Sequence, residues 1–254
     1  MDTILIGTTA INRPYLHNLV FLKWKKWLLE SGKKLVWVIN IDIIEQLGVT
    51  HEDTKKNFEI LLDGVDELII LPQQRNHFLG ACKNISNCIK SYAENNNLDK
   101  KDLKIIWLED DWELLDTHLT LNKLLEYSGQ KTHINLSGII NNYIWALAPS
   151  ILSYHFWEEV YYYAWYNQSI DIDAEKCVGN YFINNYCEPE NVLNIIIDGT
   201  NTDNVNIVSE QPVFLKLRPQ IALDRGIDYL KSLSLKKQMI PRGRASKIFR
   251  YVKI

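Results

Sequence analysis

The hydrophobic positions of the first 115 residues form short apolar runs separated by amphipathic stretches. The apolar runs predict buried strands at residues 3–7, 34–40, 67–71 and 104–108. The stretches between them carry apolar residues at helical spacing and predict helices at residues 16–30, 52–62 and 84–95. Strands that alternate with helices of this length predict an α/β fold, with a mostly parallel sheet and helices on both faces.

The second half of the chain has a mixed pattern. It predicts strands at residues 133–140, 143–147 and 191–197, and helices at residues 153–166 and 174–184. A segment rich in Asn, Thr and Asp predicts a loop at residues 198–206. No repeat and no linker rich in Gly, Ser or Pro divides the chain, so we expect a single domain, although the length permits two.

The composition narrows the class of protein. With 46% hydrophobic residues among 254, the chain can bury a substantial core without disulfides. The cysteines at positions 82, 88, 177 and 187 lack the close spacing of a zinc knuckle or a redox motif, and we interpret them as reduced thiols. The N-terminus shows no basic region followed by an apolar run, so we expect no secretory signal and a cytoplasmic location.

One charge-free stretch, residues 132–157, is long enough to suggest a membrane span. Its content is against that interpretation, because its Asn, Ser, Pro and His residues would have to lie in hydrocarbon, where polar groups are costly. We interpret the stretch instead as strands and loops that line a core or a pocket.

The formal net charge of −3 is unevenly distributed. The tail, residues 231–254, holds eight Lys or Arg residues and no acid, so residues 1–230 carry about −11. An acidic body is a poor general binder of nucleic acid, and we expect no nucleic-acid partner. The basic tail has three interpretations: contact with phosphate, peripheral contact with an anionic membrane surface, or a plain solvated tail.

An acidic triplet follows the fourth predicted strand directly, at Glu109, Asp110 and Asp111. Open α/β sheets bind their ligands at the carboxyl ends of their strands. Three adjacent carboxylates repel one another unless a cation or a solvated turn relieves them, and Mg²⁺ or Mn²⁺ suits carboxylate and phosphate oxygens. The alternative is a solvated turn in which Asp110 or Asp111 caps a following helix.

Two further loops carry polar groups. The loop at residues 8–14 offers hydroxyl, amide and guanidinium groups that suit a nucleotide, although a plain turn with a solvated Arg13 is the alternative. The segment at residues 75–84 follows the third strand and leads into a helix. Its Arg75 can face a base or a diphosphate, and Gly80 permits close approach of the backbone.

Together these segments resemble nucleotide-sugar glycosyltransferases of the GT-A fold. The likeness consists of a TTxxNRP-like loop, an R-x4-GA-x2-N helix entry, and a strand running into an acidic triplet, which that family calls the DXD motif; it covers roughly residues 3–115. It implies a transferase that moves a sugar from a UDP- or GDP-sugar donor to a hydroxyl of a carbohydrate acceptor, with Mn²⁺ or Mg²⁺ as cofactor. It also implies a nucleotide-sugar-binding half at residues 1–115 and an acceptor-binding half at residues 116–230.

The resemblance implies roles for particular residues. The donor-binding residues it implies are Thr8, Asn12, Arg13, Asp42, Arg75, Glu109 and Asp110. Asp111, the last acid of the motif, is implied to bind the metal. Many members of the family add a late metal-binding His, which this chain lacks after His155, so the donor phosphates and water complete the site, or Asp198 or Asp203 substitutes.

The acceptor-binding half contains a second acidic cluster at residues 171–175. Direct displacement at the sugar carbon needs a base opposite the departing diphosphate, and we predict that Glu175, in preference to Asp173, is that base in an inverting reaction. Stabilisation of a helix start is the alternative role for these acids. Aromatic residues could stack on sugar rings or form the core: Trp145, Trp157, Tyr161, Tyr162, Tyr163 and Trp165.

Two other functional classes stay open. A nucleotidyltransferase would use a similar sheet and similar carboxylates, but the first strand is not followed by a Gly-rich phosphate loop with a Lys. A non-catalytic carbohydrate-binding protein would use the aromatic residues and leave the acids structural.

Overall fold

The computed structural model describes residues 2–42, 49–74, 76–114, 120–126, 132–136, 147, 149–166, 168, 173–185, 193–196, 214–216, 235–242 and 246–253. Its strands are β1 (Thr3–Ile11), β2 (Lys34–Asp42), β3 (Glu67–Ile70), β4 (Lys104–Glu109), β5 (Trp112–Leu114), β6 (Thr132–Asn135), β7 (Ser150–Ser153), β8 (Leu193–Ile196), β9 (Phe214–Lys216), β10 (Leu235–Arg242) and β11 (Ser246–Lys253). Its helices are α1 (Pro14–Leu29), α2 (His51–Leu61), α3 (His77–Asn95), α4 (Leu121–Leu125), α5 (Tyr154–Phe156), a π-helical segment (Trp157–Tyr162), α6 (Tyr163–Tyr166) and α7 (Ala174–Asn185).

Seven strands form one sheet in the order β3-β2-β1-β4-β7-β6-β8. Strand β7 is antiparallel to both of its neighbours, and the other paired strands run parallel. The predicted α/β fold with a mostly parallel sheet is therefore confirmed. Two small antiparallel pairs accompany it, β5 with β9 and β10 with β11.

Strands β1, β2 and β4 lie in the middle of this sheet and are almost entirely buried. Helix α3 packs on one face, where a Cβ added at Gly7 would lie 2.8 Å from Cγ2 of Ile85. Trp37 pairs with Ile6, the neighbour of Gly7, and therefore points to the opposite face. There its ring meets Phe21 of α1 edge-on, so helices cover both faces of the sheet.

Most predicted elements of the first 115 residues are confirmed, with two shifts in their bounds. Strand β1 continues to Ile11, past the polar residues expected to start a loop, because β2 pairs with it as far as Ile11 and β4 as far as Thr9. Helix α3 begins at His77 and not at residue 84, and Gly80 lies buried in its first turns. The strand predicted at residues 143–147, except for Leu147, and the loop at residues 198–206 lie outside the described residues.

The charge-free stretch contributes β6, β7 and the start of the helical segment at residues 154–166, which agrees with its interpretation as core structure. Ile134, Ile151 and Leu152 are buried there. Within the described parts of the chain, no helix is both long and apolar enough to cross a bilayer. In the basic tail, β10 and β11 pair as antiparallel strands, which the sequence did not predict.

Candidate active site at the carboxyl edge of the sheet

The carboxyl ends of β1, β2 and β4 bring polar residues together at one edge of the sheet. Thr9 is paired with Asn40 on one side and with Glu109 on the other, so these three residues form a row across the sheet. Thr9 has the same strand phase as Gly7, which places the row on the face covered by α3. The first acid of the triplet therefore lies on the α3 face.

The middle acid, Asp110, is turned towards α1 and is held by protein donors. Its Oδ2 accepts hydrogen bonds from the backbone N–H of Ile11 at 3.0 Å and from Nε of Arg13 at 2.8 Å. Nη2 of Arg13 bonds the other oxygen, Oδ1, so the guanidinium binds the carboxylate with two nitrogens. Nε2 of His17 lies 3.1 Å from Oδ2. Asp110 thus ties the end of β4 to the loop after β1 and to α1.

The electrostatics of this cluster follow from burial and pairing. Burial alone would raise the pKa of Asp110, but the charge and hydrogen bonds of Arg13, together with His17, hold that pKa well below its usual range. Burial lowers the pKa of His17, and its hydrogen bond to Asp110 offsets only part of that effect. The cluster is therefore a carboxylate anion beside a guanidinium cation and a neutral imidazole.

Asp111 differs from Asp110 in its surroundings. Its side chain is 19% exposed, and its Oδ2 lies 3.9 Å from Nη2 of Arg13. The residues that follow it form strand β5, so the expectation that Asp110 or Asp111 caps a helix is wrong. The geometry gives Asp110 a structural role, while Asp111 borders the site beside Arg13.

A second polar group lies where β2 meets the start of α3. Asp42 is buried and its Oδ1 accepts the backbone N–H of Asn76 at 2.9 Å. The side-chain amide of Asn76 donates to Oδ1 of Asn40, also at 2.9 Å. The chain then enters α3 through His77, whose φ of 54° lies in the left-handed region that costs about 1 kcal/mol or more for a non-glycine residue.

Two buried amide atoms in this region, Nδ2 of Asn40 and Oδ1 of Asn12, have no hydrogen-bond partner within the described parts of the chain. Such atoms are uncommon in proteins, since burial without a partner costs free energy. Asn12 and Asp42 lie at the edge that the sequence predicted, and the unpartnered atoms of Asn12 and Asn40 leave hydrogen-bonding capacity there. Arg75 lies outside the described residues, and its role stays a prediction.

Thr8 is placed differently from the sequence expectation. Its side chain is fully buried on the α1 face, and its hydroxyl accepts a hydrogen bond from the indole nitrogen of Trp37 at 2.8 Å. That hydroxyl is therefore used inside the core. Thr9, its neighbour, is the threonine that lies in the polar row at the α3 face.

The second acidic cluster lies near the same face. Burial raises the pKa of the Cys82 thiol in α3, and the charges of Glu109, Glu175 and Asp173 raise it further. These three acids therefore lie within electrostatic range of one residue of α3, although they are up to 66 positions apart in the chain. Helix α7, which carries Glu175, also contacts α3.

The two candidate bases have different local roles. Asp173 precedes α7, is exposed, and accepts the backbone N–H of Lys176 at 2.9 Å, so it caps the helix as the alternative interpretation expected. Glu175 is half-buried in the first turn, and its Oε1 accepts the backbone N–H of Leu147 at 2.8 Å. Glu175 is thus bonded to a residue of another segment, whereas Asp173 is engaged within its own helix.

Most of the candidate stacking rings belong to the core. Trp157, Tyr161 and Trp165 are at most 1% exposed, so these rings have no face to offer a sugar. Tyr163 is 49% exposed and Tyr162 is half-buried. Trp145 lies outside the described residues.

The described residues contain no group of three His, Cys, Asp or Glu side chains arranged to hold a metal ion. The engagement of Asp110 by Arg13 and His17 explains why the triplet does not form such a group by itself. Glu109 and Asp111 are oxygen ligands suited to a hard divalent cation, so they fit a cation whose other ligands come from a bound diphosphate. Asp198 and Asp203, the suggested late ligands, lie outside the described residues.

No individual role was predicted for several residues of this edge, namely Thr9, His17, Asn40, Asn76 and Cys82, although Thr9, Asn76 and Cys82 lie in segments that the sequence singled out. His17 follows Arg13 by one helical turn, and that spacing could have indicated a shared partner. The contacts of Asn40 and Asn76 cross 36 positions of the chain and leave no local signal. The pairing of β5 with β9, which brings residues 214–216 beside the segment that follows the triplet, was also not predicted.

Comparison by sequence finds no matching family profile and no matching curated protein. Similar solved structures are glycosyltransferases. The galactosyltransferase LgtC, in complex with donor and acceptor sugar analogs, has a TM-score of 0.35 at 10% identity, over 71% of this chain and 70% of its own. An active-site mutant of LgtC gives 0.36 at 11% identity, over 71% and 70%. The bifunctional glycosyltransferase WbbM gives 0.40 at 8% identity, over 71% of this chain but 37% of WbbM.

Proposed function

We propose that this chain is a glycosyltransferase that moves a sugar from a UDP- or GDP-sugar to a hydroxyl group of a carbohydrate acceptor. The observation that carries the proposal is the approach of two separate acidic segments to one helix, α3, which covers the sheet face that carries Glu109. Helix α7, which holds Glu175, contacts α3, and the charges of Glu109 and Glu175 both raise the pKa of the buried Cys82 thiol in α3. Displacement at a sugar carbon needs such a division, with one acidic site for the departing diphosphate and another for the acceptor.

The donor half of the proposal rests on the residues at the ends of β1 and β2. Asn12 and Asp42 are buried there and offer amide and carboxylate groups for the nucleoside. Arg13 lies beside Asp111, where its guanidinium can bind a phosphate oxygen. We keep Arg75 as a candidate contact to the base, from the sequence resemblance alone.

Asp111 is proposed to hold Mn²⁺ or Mg²⁺ together with the two phosphates of the donor, and the cation would supply positive charge at the departing diphosphate. Asp110 has no part in this, because its oxygens are engaged by Arg13, His17 and Ile11. Glu109 accepts the indole N–H of Trp112 at 3.3 Å, which fixes its direction at the end of β4.

The proposed reaction inverts the anomeric centre. Glu175 takes the proton from the acceptor hydroxyl while that oxygen forms a bond to the anomeric carbon, and the bond from this carbon to the phosphate oxygen breaks. Asp173 is the weaker candidate, since it already caps α7. The cytoplasmic location and any membrane contact through the tail remain predictions from sequence.

The proposal is tested first by binding. A panel of UDP- and GDP-sugars is screened for thermal stabilisation of the chain, with and without Mn²⁺, because a ligand of the native state raises its stability. We expect at least one donor to raise the melting temperature, and to do so more strongly with Mn²⁺. Asp111→Asn should remove the Mn²⁺-dependent part and lower turnover by orders of magnitude, without loss of the fold. Turnover of a nucleoside triphosphate to diphosphate would instead indicate a nucleotidyltransferase.

The base is tested by a matched pair of variants. Glu175→Gln should depress transfer strongly and leave donor affinity almost intact, because a base acts in the chemical step and not in donor binding. Asp173→Asn should retain most of the transfer rate. Normal rates in both variants, or a product that retains the anomeric configuration of the donor, would refute the inverting mechanism.

A further inference from the structure

A buried histidine lies behind the donor edge of the site, and the proposed function does not use it. His17 in α1 has no exposed side-chain surface and stacks on Phe58 of α2 with 4.3 Å between the ring centroids. Phe21 also meets this ring edge-to-face, with 5.8 Å between the ring centroids. Nε2 of His17 lies 3.1 Å from Oδ2 of Asp110, and the backbone of Ile11 also interacts with the ring.

The direction of this hydrogen bond follows from the state of Asp110. As an anion paired with Arg13, Asp110 has no proton to donate, so Nε2 of His17 must carry the hydrogen. The second ring nitrogen, Nδ1, is buried and has no partner among the described residues. A proton there would be unsatisfied between two aromatic rings, so the neutral form with hydrogen on Nε2 is the form that this pocket accepts.

We infer that His17 is a positioning residue of the donor site, which acts through Asp110 to hold the guanidinium of Arg13 beside Asp111. The inference rests on the proposed role of Arg13 at the donor diphosphate. Oδ2 of Asp110 receives three donors, from Ile11, Arg13 and His17. His17 reaches it from the packed interior of α1 and α2, and so fixes the carboxylate on the side opposite the site.

The consequence for Arg13 is geometric. A guanidinium bound through two nitrogens to a fixed carboxylate has one orientation, and its remaining N–H groups point in set directions. If the carboxylate rotates, the guanidinium rotates with it, and a phosphate oxygen loses a preformed donor. Preformed donors matter most where charge develops on a leaving group.

Two variants separate this role from simple packing. His17→Phe keeps an aromatic ring against Phe58 but removes the donor to Asp110. His17→Gln loses the ring but keeps a side-chain N–H at a similar distance from the backbone. Affinity for UDP and for GDP, each with Mn²⁺, is measured by calorimetry, along with the melting temperature without ligand.

We expect His17→Phe to weaken binding of the better-bound nucleoside diphosphate by about tenfold or more, because a misdirected Arg13 loses its charged hydrogen bond to the phosphate. The affinity of His17→Gln for the same nucleotide should stay within about threefold of wild type, even if His17→Gln melts at a lower temperature than His17→Phe. The reverse order, with His17→Phe normal and His17→Gln weakened, would show that only the packing of the ring matters and would overturn the inference.

A second measurement does not depend on nucleotide binding. In ¹⁵N spectra of the wild-type chain, His17 should show the neutral form protonated at Nε2, and Nε–H of Arg13 should exchange slowly with water. In His17→Phe the Arg13 signal should lose that protection, and in His17→Gln it should keep it. A wild-type His17 protonated at Nδ1 would overturn the inference. An Arg13 signal that His17→Phe leaves unchanged would also overturn it, and this test does not need His17→Gln to fold.

Failure of the proposed function has a different signature. If wild type binds neither UDP nor GDP, the donor assignment is refuted. The spectra alone then test the link from His17 through Asp110 to Arg13. The claim that this link serves to bind a diphosphate no longer stands in that case.

Discussion

The acidic triplet gives the sharpest prediction, because its last two members should behave oppositely when each is changed to the isosteric amide. Asp110→Asn removes the charge from a buried carboxylate that bonds Arg13 through both oxygens and also receives donors from Ile11 and His17. It also turns one acceptor into an N–H₂ that faces other donors. We expect the variant to be strongly destabilised and Asp111→Asn to fold normally.

The magnitude follows from burial. Removing one partner of a buried ion pair costs about 3–5 kcal/mol, because the other charge is left without compensation. For a chain of this length each kcal/mol lowers the melting temperature by about 2–4 °C, so Asp110→Asn should melt about 6–20 °C below wild type. The ion pair of Asp111 with Arg13 is long, at 3.9 Å, and partly exposed, so Asp111→Asn should cost about 1 kcal/mol or less.

The assay is thermal unfolding followed by circular dichroism at pH 7 and repeated at lower pH. The pKa of Asp110 is lowered in the folded chain, so its stabilisation is present above the unfolded pKa of about 3.9 and is lost as the pH falls further. The gap between wild type and Asp110→Asn should therefore be constant near neutral pH and narrow below about pH 4. An Asp110→Asn variant that melts within 2 °C of Asp111→Asn would refute the reasoning.

Two further predictions concern the core. Gly7→Ala places a Cβ 2.8 Å from Cγ2 of Ile85 and 3.1 Å from the ring of Trp107. It should lower the free energy of unfolding, measured by chemical denaturation, by about 1–3 kcal/mol. If the cost is equally large in an Ile85→Ala background, the contact with Ile85 is not its cause. Burial lowers the pKa of His133 to about 3, so the folded state resists its protonation and stability falls as the pH drops from about 6.5 towards 3. His133→Leu should reduce the loss of unfolding free energy between pH 7 and pH 5 by about 2 kcal/mol, and an unchanged pH dependence would show that His133 is not buried in a neutral form.

The local sequence determined the alternation of strands and helices in the first 115 residues. Apolar runs that end in polar residues are local patterns, and burial on both faces of a parallel strand requires such runs. The same local patterns place Glu109, Asp110 and Asp111 at the end of a strand, and Asp173 at the start of a helix.

Tertiary structure decided where each acid lies and what contacts it. Asp110 contacts Arg13 and His17, which lie more than 90 positions away in the chain. Only the packing of α1 on the sheet brings these partners to its carboxylate. Neighbouring carboxylates in one triplet look equivalent in sequence because nothing local shows which side of the strand each faces or what covers that side. The same holds for Thr8 and Thr9, which point to opposite faces of β1. The sequence by itself thus placed the candidate site at one edge of the fold, whereas strand register and helix packing decided which side chains lie there, since these depend on contacts between distant segments.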